Sequence, residues 1–470
     1  MAKVSPARRA ALALVSRRRR SDGRIRDMAR EDKTLSALSP VDRALAFRLA
    51  MGATAAAAQL DELIDERLKR PSSLEPRVRD ALQIATFELC HLDTPSGVAV
   101  SQGVELVRGV SPRAAGLANA VLRRIAAEAC GQVHDARERL AAGDCDVADL
   151  SLVSGLPSWL AGRVLADRGA AFASSLCGAQ LEPPPVYVAT NGRLCSASDL
   201  EARLQTAGME PERMEAISGC FLLGRSAGLS ASGMVERVEL VVADVAAQVV
   251  CRLAAPAVPD ELLEIGQGRA TKSVLLAAGI DAVHPTRIIG VESVPYKVRI
   301  AQKRMDAAQL VDLVQCVEFD GTRLADSNLP PELAGPFDTV LLDAPCSGTG
   351  TMRRHPEIAS SLGPSDVHSL AALQLSLLRA ASTRVAAGGT LVYATCSVLR
   401  EEDEDVVRAF LKTPEGAGFH ICDVLDAPGC KSSERLATLV SSQRTEDGFF
   451  LSVPATGGGD GHFCARLVRE

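Results

Sequence analysis

Two patterns of apolar residues divide the chain. From about residue 6 to residue 128 the apolar positions recur every three or four residues, as in Asp42–Leu49, Val78–Leu92 and Ala99–Val107, which predicts helices. Further along, short apolar runs alternate with helical segments, and this alternation is typical of a parallel sheet flanked by helices. These runs include Leu262–Ile265, Ile288–Val291, Val317–Phe319, Leu341–Leu342 and Leu391–Ala394.

The predicted fold class is multi-domain, and changes in composition set the boundaries. The predicted segments are 1–130, an all-α domain; 131–150, a linker; 151–250, a small α/β module; and 251–470, a Rossmann-like doubly wound α/β domain. The linker follows from the polar stretch Gly131–Asp149, which we expect to be partly helical. Asp447–Leu451 and His462–Leu467 are expected to form an antiparallel hairpin at the sheet edge.

The composition is that of an ordinary globular protein. Of the 470 residues, 47% are hydrophobic and 23% are charged, which is the balance found in folded domains. A net charge of −6 argues against broad, non-specific binding of nucleic acid, so RNA contacts must come from local basic patches. The sequence has no run of about 18 apolar residues that would span a bilayer. We therefore expect a cytoplasmic protein with no membrane partner.

Two of the cysteines stand apart from the rest. The 13 cysteines form no Cys-x-x-Cys pair and have no histidines clustered near them, so we expect no metal site, and reduced thiols fit the cytosol. Cys346 and Cys396, however, each follow an apolar run of strand type. Each thiol should therefore sit at the carboxyl end of a strand, which is where open parallel sheets bind ligands.

Such a pair of cysteines suits attack on a pyrimidine ring. The C5 carbon of cytosine is a poor nucleophile, but a thiolate added at C6 places electron density on C5. A second group must then remove the C5 proton so that the first sulfur can leave. Pro345 stops the preceding strand at Asp343, and a carboxylate there can accept a hydrogen bond from the exocyclic amine of a base. A lone cysteine at a strand end is more often a packing residue, so the surrounding sequence must show whether these two cysteines are catalytic.

That surrounding sequence resembles the RNA cytosine-5 methyltransferases of the RsmB/Sun type. The resemblance lies in Asp343–Gly350, in Arg353–Ile358 and in Thr395–Ser397. It implies that Cys396 attacks the base, that Cys346 assists release of the product and that Asp343 orients the base. It also implies methyl transfer from S-adenosylmethionine to C5 of a cytosine in RNA, with small-subunit (16S) ribosomal RNA as the substrate.

A site for the methyl donor is predicted upstream, where a buried strand leads into a glycine loop and a helix. Backbone N–H groups at such a helix start can hold the carboxylate of S-adenosylmethionine. Glu292, at the end of the second strand, is expected to bind the ribose hydroxyls, and Asp320, after the third, to meet the adenine. The predicted cofactor residues are Glu264, Gly266, Gln267, Gly268, Arg269, Ala270, Thr271, Lys272, Glu292, Asp320 and Asp343.

The donor loop also departs from the family. Relatives carry Cys-Ala-Ala-Pro-Gly-Gly-Lys-Thr, whereas Gly266–Ser273 of this chain keeps only the lysine and a hydroxyl in register. Lys297 and Arg400 stand where relatives carry arginine and proline. Because Gly266 and Gly268 still supply a flexible turn, we expect the cofactor to bind with an altered geometry.

The helical region resembles the NusB-type RNA-binding fold, mainly in Asp42–Leu49 and Asn119–Arg124. Residues 5–26 are rich in arginine, and this segment either meets phosphates or forms a solvated helix face. The resemblance implies RNA, namely ribosomal RNA of the small subunit, as the partner. We expect a monomer that does not bind DNA.

Two other functions stay open. The altered donor loop is compatible with a NusB-like RNA-binding or antitermination factor whose methyltransferase domain no longer binds the donor. An exocyclic amino methyltransferase would need no covalent thiol. Such enzymes usually place an aromatic residue after an Asp-Pro-Pro or Asn-Pro-Pro motif, whereas here Cys346 follows Pro345, which disfavours this alternative.

Overall fold

The structure is a computed structural model that describes residues 4–21 and 23–470. The chain forms two compact units. The first unit comprises the residues up to Pro184 with Thr351–Leu362 and Pro454–Gly457, and the second comprises Pro185–Gly350, Gly363–Val453 and Gly458–Glu470. The predicted boundaries at 130, 150 and 250 do not coincide with this division, and they stay a prediction about separate domains.

Helices build the first unit, as the apolar periodicity predicts. In chain order they are α1 Pro6–Arg18, α2 Ile25–Glu31, α3 Lys33–Ser36, α4 Pro40–Ala55, α5 Ala57–Asp65, α6 Pro76–His91, α7 Ser96–Val110, α8 Ala115–Arg124, α9 Cys130–Ala142, α10 Val147–Ser154 and α11 Ser158–Ala179. Ser5 and Ser39 cap α1 and α4, and a proline follows each cap, which is a favoured helix start. Leu49, Leu82 and Phe87 lie at the centre of the core.

Carboxylates neutralise part of the arginine-rich start of the chain. The buried guanidinium of Arg8 forms an ion pair with Glu88. Arg19 forms a second ion pair, with Asp80, at 2.9 Å. The charges of these two arginines are thus already matched by carboxylates of the first unit, and contact of the segment with phosphates stays a prediction.

The segment predicted as a linker, 131–150, is largely helical. It holds most of α9 and the start of α10. Val133 belongs to the core of the first unit, and Arg139 binds the carboxylate of Asp149 with an N–O distance of 2.9 Å. The polar composition suggested a linker because only one face of α9 is buried, while its charged residues pair with neighbours.

The second unit begins with a small antiparallel sheet. Its strands are β1 Val186–Thr190, β2 Pro211–Arg213, β3 Cys220–Leu223 and β4 Leu240–Val242, in the order β2-β3-β1-β4. Two helices belong to this part of the chain, α12 Ala197–Thr206 and α13 Val245–Ala254. Val188, Leu200 and Phe221 form its core. This agrees with the small α/β element expected here.

The larger sheet of the second unit is mainly parallel. Its strands are β5 Glu261–Ile265, β6 Arg287–Glu292, β7 Val314–Glu318, β8 Phe337–Asp343, β9 Val385–Thr395, β10 Phe419–Cys422, β11 Phe450–Leu451 and β12 Phe463–Arg469. The accompanying helices are α14 Thr271–Ala278, α15 Pro295–Ala308, α16 Glu357–Ser361, α17 Pro364–Ser382, α18 Glu404–Phe410, α19 Pro428–Ser432 and α20 Glu434–Ser441; α16 belongs to the first unit. The strand order is β10-β12-β9-β8-β5-β6-β7, with β9 to β7 parallel. Across the described residues, no helix combines the length and apolarity needed to cross a membrane.

The carboxyl-terminal hairpin forms, and its strand β11 lies on the outer side of β12, away from β9. Phe450 lies opposite Cys464 in the antiparallel pair of β11 and β12, as predicted. The remainder of the outer side of β12 pairs with β10, so β11 and β10 share this edge, while β12 itself lies between them and β9. The consecutive residues 463–467 are all buried, and such burial on both faces is typical of an interior strand.

Candidate active site

Neighbouring parallel strands bring the two predicted cysteine loops together. β8 ends at Asp343, which lies opposite Ala394, and β9 ends one residue before Cys396. Two backbone hydrogen bonds join the loops beyond the strands. The N–H of Ala344 donates to the carbonyl of Ala394 at 2.9 Å, and the N–H of Gly350 donates to the carbonyl of Cys396 at 2.9 Å. The sheet register therefore fixes the separation of the loops.

The structure places the two predicted catalytic sulfurs in contact. The Sγ atoms of Cys346 and Cys396 are 3.3 Å apart, and the N–H of Cys396 donates to the sulfur of Cys346 at 3.3 Å. The hydrogen bond between the sulfurs lowers the pKa of Cys396 and raises the pKa of Cys346 well above its usual range. Two thiols this close titrate as a pair, and Cys396 is the one that loses its proton more readily. The pair can therefore present one thiolate.

An ion pair stands beside the sulfurs. The Nζ atom of Lys272 lies 2.6 Å from Oδ2 of Asp343. Burial alone would lower the pKa of Lys272, but the carboxylate of Asp343 outweighs it and the pKa is raised. The lysine is thus charged, and its charge adds to the effect of the Cys346 hydrogen bond in lowering the pKa of Cys396. Lys272, predicted to bind the cofactor, thereby contacts the predicted base-orienting carboxylate.

The glycine loop approaches the end of β8 closely. Gly266 has a φ of +82°, and a Cβ atom there would meet the carbonyl oxygen of Asp343 at 2.2 Å, so the position requires glycine. The N–H of Gly268 donates to Oε2 of Glu292 at 3.0 Å, and Oε1 accepts from Val294 at 2.9 Å. An acidic strand end beside a glycine loop and a helix start is an arrangement that holds ribose and carboxylate groups. These residues fit S-adenosylmethionine.

Two of the predicted cofactor residues lie inside the fold. Oε2 of the buried Glu264 accepts a hydrogen bond from the hydroxyl of Ser273 at 2.5 Å, and Nε2 of Gln267 donates to the same hydroxyl at 3.0 Å. Burial raises the pKa of Glu264 to about 7. A Cβ on Gly290 would collide with the Gln267 side chain at 2.0 Å. Both side chains support the base of the loop, and their direct contact with the cofactor stays a prediction.

The other predicted cofactor residues flank the start of α14 or follow β7. Ala270 is buried with a φ of +57°, Thr271 accepts a hydrogen bond from an arginine of α15 at 2.9 Å, and Arg269 is exposed. Asp320 is exposed, and its Oδ1 accepts hydrogen bonds from the N–H and hydroxyl of Thr322 at 3.0 and 2.8 Å. Asp320 thus caps a turn, and its contact with adenine stays a prediction.

The sequence analysis missed a buried carboxylate that connects the cysteine loops. The side chain of Glu402 is completely buried and contacts Ser347, Ser397 and Gln374. A signal was present, because Glu402 lies shortly after Cys396 and before α18. The run of acidic residues from 401 to 405 looks like the solvated start of a helix, which concealed that Glu402, Asp403 and Glu404 are buried.

A cavity of about 1140 Å³ lies at the opposite edge of the sheet, near the amino ends of β5, β8 and β9. Its walls include Arg252, Asp260, Thr339, Gly388 and Arg466, and none of the predicted catalytic residues. A choice of functional site by cavity size alone would therefore exclude both thiols. The charged and nucleophilic groups that can act together are at the carboxyl edge, which we take as the candidate active site.

Comparison with known proteins agrees with this arrangement. Residues 286–455 match the family described as 16S rRNA methyltransferase RsmB/F, and residues 5–127 match the NusB family. Ribosomal RNA small subunit methyltransferase B of Xylella fastidiosa (strain Temecula1) is 30% identical over 409 residues, which cover 84% of this chain and 82% of that protein. The protein of the same name from Enterobacter sp. (strain 638) is 28% identical over 438 residues, with 92% of each covered.

Solved structures share the fold. The crystal structure of PH0851 matches with a TM-score of 0.73 and 18% identity, covering 99% of each chain. The structure of NSun6 from Pyrococcus horikoshii with SFG matches with a TM-score of 0.54 and 15% identity, covering 67% of this chain and 99% of that one. At these identities, the likeness demonstrates a common fold.

The doubly wound sheet, its glycine loop and these matches define an S-adenosylmethionine-dependent methyltransferase, which confirms the predicted fold class and cofactor. The chain belongs to the 16S rRNA methyltransferase RsmB/F family, with a NusB-type region at its amino end, as the sequence resemblance implied. The hydrogen bond from Gly268 to Glu292 joins the glycine loop to the strand end where the donor's ribose is expected.

Proposed function

We propose that this methyltransferase modifies C5 of a cytosine in 16S ribosomal RNA through a covalent adduct with Cys396. The observation that carries the proposal is the 3.3 Å distance between the sulfurs of Cys346 and Cys396, beside the ion pair of Lys272 and Asp343. The relatives named above are small-subunit ribosomal RNA methyltransferases, which supports the choice of RNA.

Cys396 is the nucleophile. The hydrogen bond from Cys346 and the charge of Lys272 lower the pKa of the Cys396 thiol, which favours the attacking thiolate. The thiolate bonds to C6 of the cytosine, and electron density moves towards C5 and the ring nitrogen. Asp343 accepts a hydrogen bond from the exocyclic amine, while the ammonium of Lys272 stabilises the negative charge that develops on the base.

Cys346 completes the reaction as a base. When bound, S-adenosylmethionine would supply a methyl group on a positively charged sulfur, which would leave as a neutral thioether as the methyl carbon bonds to C5. The hydrogen bond and charge of Cys396 hold the pKa of Cys346 high. Once Cys396 is bonded to carbon, it no longer carries that charge, so Cys346 can lose its proton to solvent. The Cys346 thiolate then removes the C5 proton, the C5–C6 double bond re-forms, and Cys396 leaves as a thiolate.

Trapping of the adduct tests the proposal. We expect Cys346→Ser, mixed with 16S ribosomal RNA and S-adenosylmethionine, to accumulate a covalent protein–RNA adduct on a denaturing gel. Cys396→Ser should form none. Nucleoside mass spectrometry of wild-type product should show 5-methylcytidine. If the two variants behave alike on the gel, the assignment of roles is wrong, and methylation at another base position would refute the proposed chemistry.

A further inference from the structure

We infer that Glu402 is a positioning residue for this reaction, whose buried carboxylate holds both cysteine loops and thereby controls the release step. The inference rests on the proposed function, because it assumes a covalent adduct that Cys346 resolves. Neither the sequence resemblance nor the comparisons assign a role to Glu402. Its contacts, burial and charge carry the argument.

The carboxylate of Glu402 joins three separate parts of the second unit. Oε1 accepts hydrogen bonds from the N–H of Ser347 at 2.7 Å and from Nε2 of Gln374, on α17, at 3.0 Å. Oε2 accepts from the hydroxyl of Ser347 and from the hydroxyl of Ser397 at 2.6 Å. Ser347 and Ser397 directly follow Cys346 and Cys396 in sequence. One side chain therefore fixes the residue next to each sulfur.

Glu402 and its partners make more hydrogen bonds to the Cys346 loop than to the Cys396 loop. Two of the four donors belong to Ser347, and Gln374 also donates to the carbonyl of Pro345 at 2.9 Å. The residues on both sides of Cys346 are thus tied to the Glu402 network, whereas Cys396 is tied through Ser397 alone. Loss of the carboxylate should therefore disturb the step that needs Cys346 more than the attack by Cys396.

Neighbouring residues hold Glu402 itself in place. The hydroxyl of Tyr393 donates to the backbone carbonyl of Glu402. The side chain of Asp403 accepts a hydrogen bond from the hydroxyl of Thr395 at 2.6 Å. Both donors are on β9, the strand that leads to Cys396. The carboxylate is therefore held in register with the nucleophile loop, as a positioning group requires.

The charge of Glu402 also distinguishes its role from packing. Its partners in the described chain are neutral N–H and O–H groups, and a buried charge without a cation is costly to the fold. Besides the hydrogen bond within the thiol pair and burial, the charge of Glu402 raises the pKa of Cys346. That charge raises the pKa of Cys396 as well, so it acts on both thiols, and the hydrogen bonds to Ser347 are what direct the effect of Glu402 to the release step.

Glu402→Gln tests the inference, because it keeps the side-chain shape and removes the charge. We expect turnover to fall on the order of tenfold and a steady-state adduct to accumulate on the denaturing gel, as with Cys346→Ser. The matched control is Glu401→Gln, the adjacent carboxylate, which bonds His368 at 3.1 Å. This control should resemble the wild type in turnover and adduct level.

Thiol reactivity gives a second readout that needs no RNA. Alkylation by iodoacetamide, resolved by peptide mass spectrometry, reports the pH at which Cys346 and Cys396 become reactive. Removal of the neighbouring negative charge favours thiolates, so Glu402→Gln should shift the reactivity midpoint to lower pH. Glu401→Gln should not shift it. An unchanged midpoint in Glu402→Gln would overturn the inference.

Single-donor variants keep the test decisive even if Glu402→Gln does not fold. Ser347→Ala removes a hydroxyl donor on the Cys346 side, and Ser397→Ala removes the donor on the Cys396 side. We expect the adduct to accumulate in Ser347→Ala more than in Ser397→Ala, and equal levels would contradict the inference. If Cys346→Ser itself traps no adduct, the proposed function fails. If it traps one while Glu402→Gln matches Glu401→Gln, only the positioning role fails.

Discussion

The chain contains two thiol pairs of nearly the same geometry, one in each compact unit. The sulfurs of Cys346 and Cys396 are 3.3 Å apart, and those of Cys90 and Cys130 are 3.4 Å apart. In the second pair too, the hydrogen bond between the sulfurs raises one pKa, that of Cys90, and lowers the other, that of Cys130. Neither the sulfur distance nor the direction of the pKa shifts therefore distinguishes a reactive pair from a packed one.

The surroundings of the two pairs differ. Cys90 and Cys130 lie on α6 and α9 within the helical core, and the sulfur of Cys130 also contacts the carbonyl of Leu89 at 3.4 Å. Cys346 and Cys396 lie in loops at the carboxyl ends of parallel strands, where such sheets bind ligands. An ion pair and a buried carboxylate adjoin those loops. The helical pair has charged neighbours too, since Arg67 acts to lower the pKa of both Cys90 and Cys130. What sets the proposed catalytic pair apart is therefore its place at the carboxyl ends of the strands.

The largest expected effect separates the two pairs by activity. Cys396→Ser should lower methyl transfer on the order of 10³-fold or more, because a hydroxyl at this position is a far weaker nucleophile than a thiolate. Cys130→Ser, its counterpart in the helical pair, should leave the rate unchanged. Transfer of labelled methyl groups from S-adenosylmethionine to 16S ribosomal RNA measures both. A comparable loss in Cys130→Ser would end the distinction drawn above.

A smaller effect concerns Glu264, which is buried beneath the donor loop. Its pKa is about 7 in the folded protein, raised by burial from an ordinary 4.5. The folded state therefore binds a proton more tightly than the unfolded state, so this group's contribution to stability falls as pH rises from 4.5 to 7 and then levels off. Glu264→Gln has no proton to lose. It should be more stable than wild type by about 3 kcal/mol at pH 8, and by much less near pH 5.

Chemical denaturation at pH 8 and pH 5 measures this difference. The matched control is Glu261→Gln, which removes an exposed carboxylate at the start of the same strand, β5. Its effect on the free energy of unfolding should be small at both pH values. If Glu264→Gln is no more stable than wild type at pH 8, burial of the ionised Glu264 carboxylate does not lower the free energy of unfolding. Its hydrogen bond with Ser273 would then compensate for the loss of hydration.

Local patterns predicted most of the fold and the central part of the site. Apolar periodicity was sufficient for the helices of the first unit, because each buries one face, and short continuous apolar runs were sufficient for the parallel strands, which are buried on both faces. The blocks around Cys346 and Cys396 pointed to two strand ends, and the register of β8 and β9 brings those ends together.

What the sequence did not show depends on contacts between distant residues. Glu402 lies in an acidic run, and its burial becomes visible only when Ser347 and Gln374 meet it across the fold. The pairing of β12 with β10 was not expected, because β10 is short and half exposed and gives little strand signal in the sequence. The contact of Lys272 with Asp343 likewise joins residues on β8 and α14 that no local pattern links.

The smallest expected effect tests how closely the donor loop must approach the catalytic strand end. Gly266 and Gly388 both have positive φ values, +82° and +74°, so alanine strains the backbone at either position. Only at Gly266 does a Cβ also collide with a neighbour, the carbonyl oxygen of Asp343, whereas nothing lies within 4 Å of a Cβ at Gly388. Gly266→Ala should therefore weaken S-adenosylmethionine binding about tenfold, or about 1.4 kcal/mol, and Gly388→Ala should not. Calorimetric titration of both variants with S-adenosylmethionine measures this difference. Equal affinities would mean that the loop can move away from Asp343 without weakening donor binding. The close approach of the loop to the strand end would then not be one of the features that separate the site of Cys346 and Cys396 from the helical thiol pair.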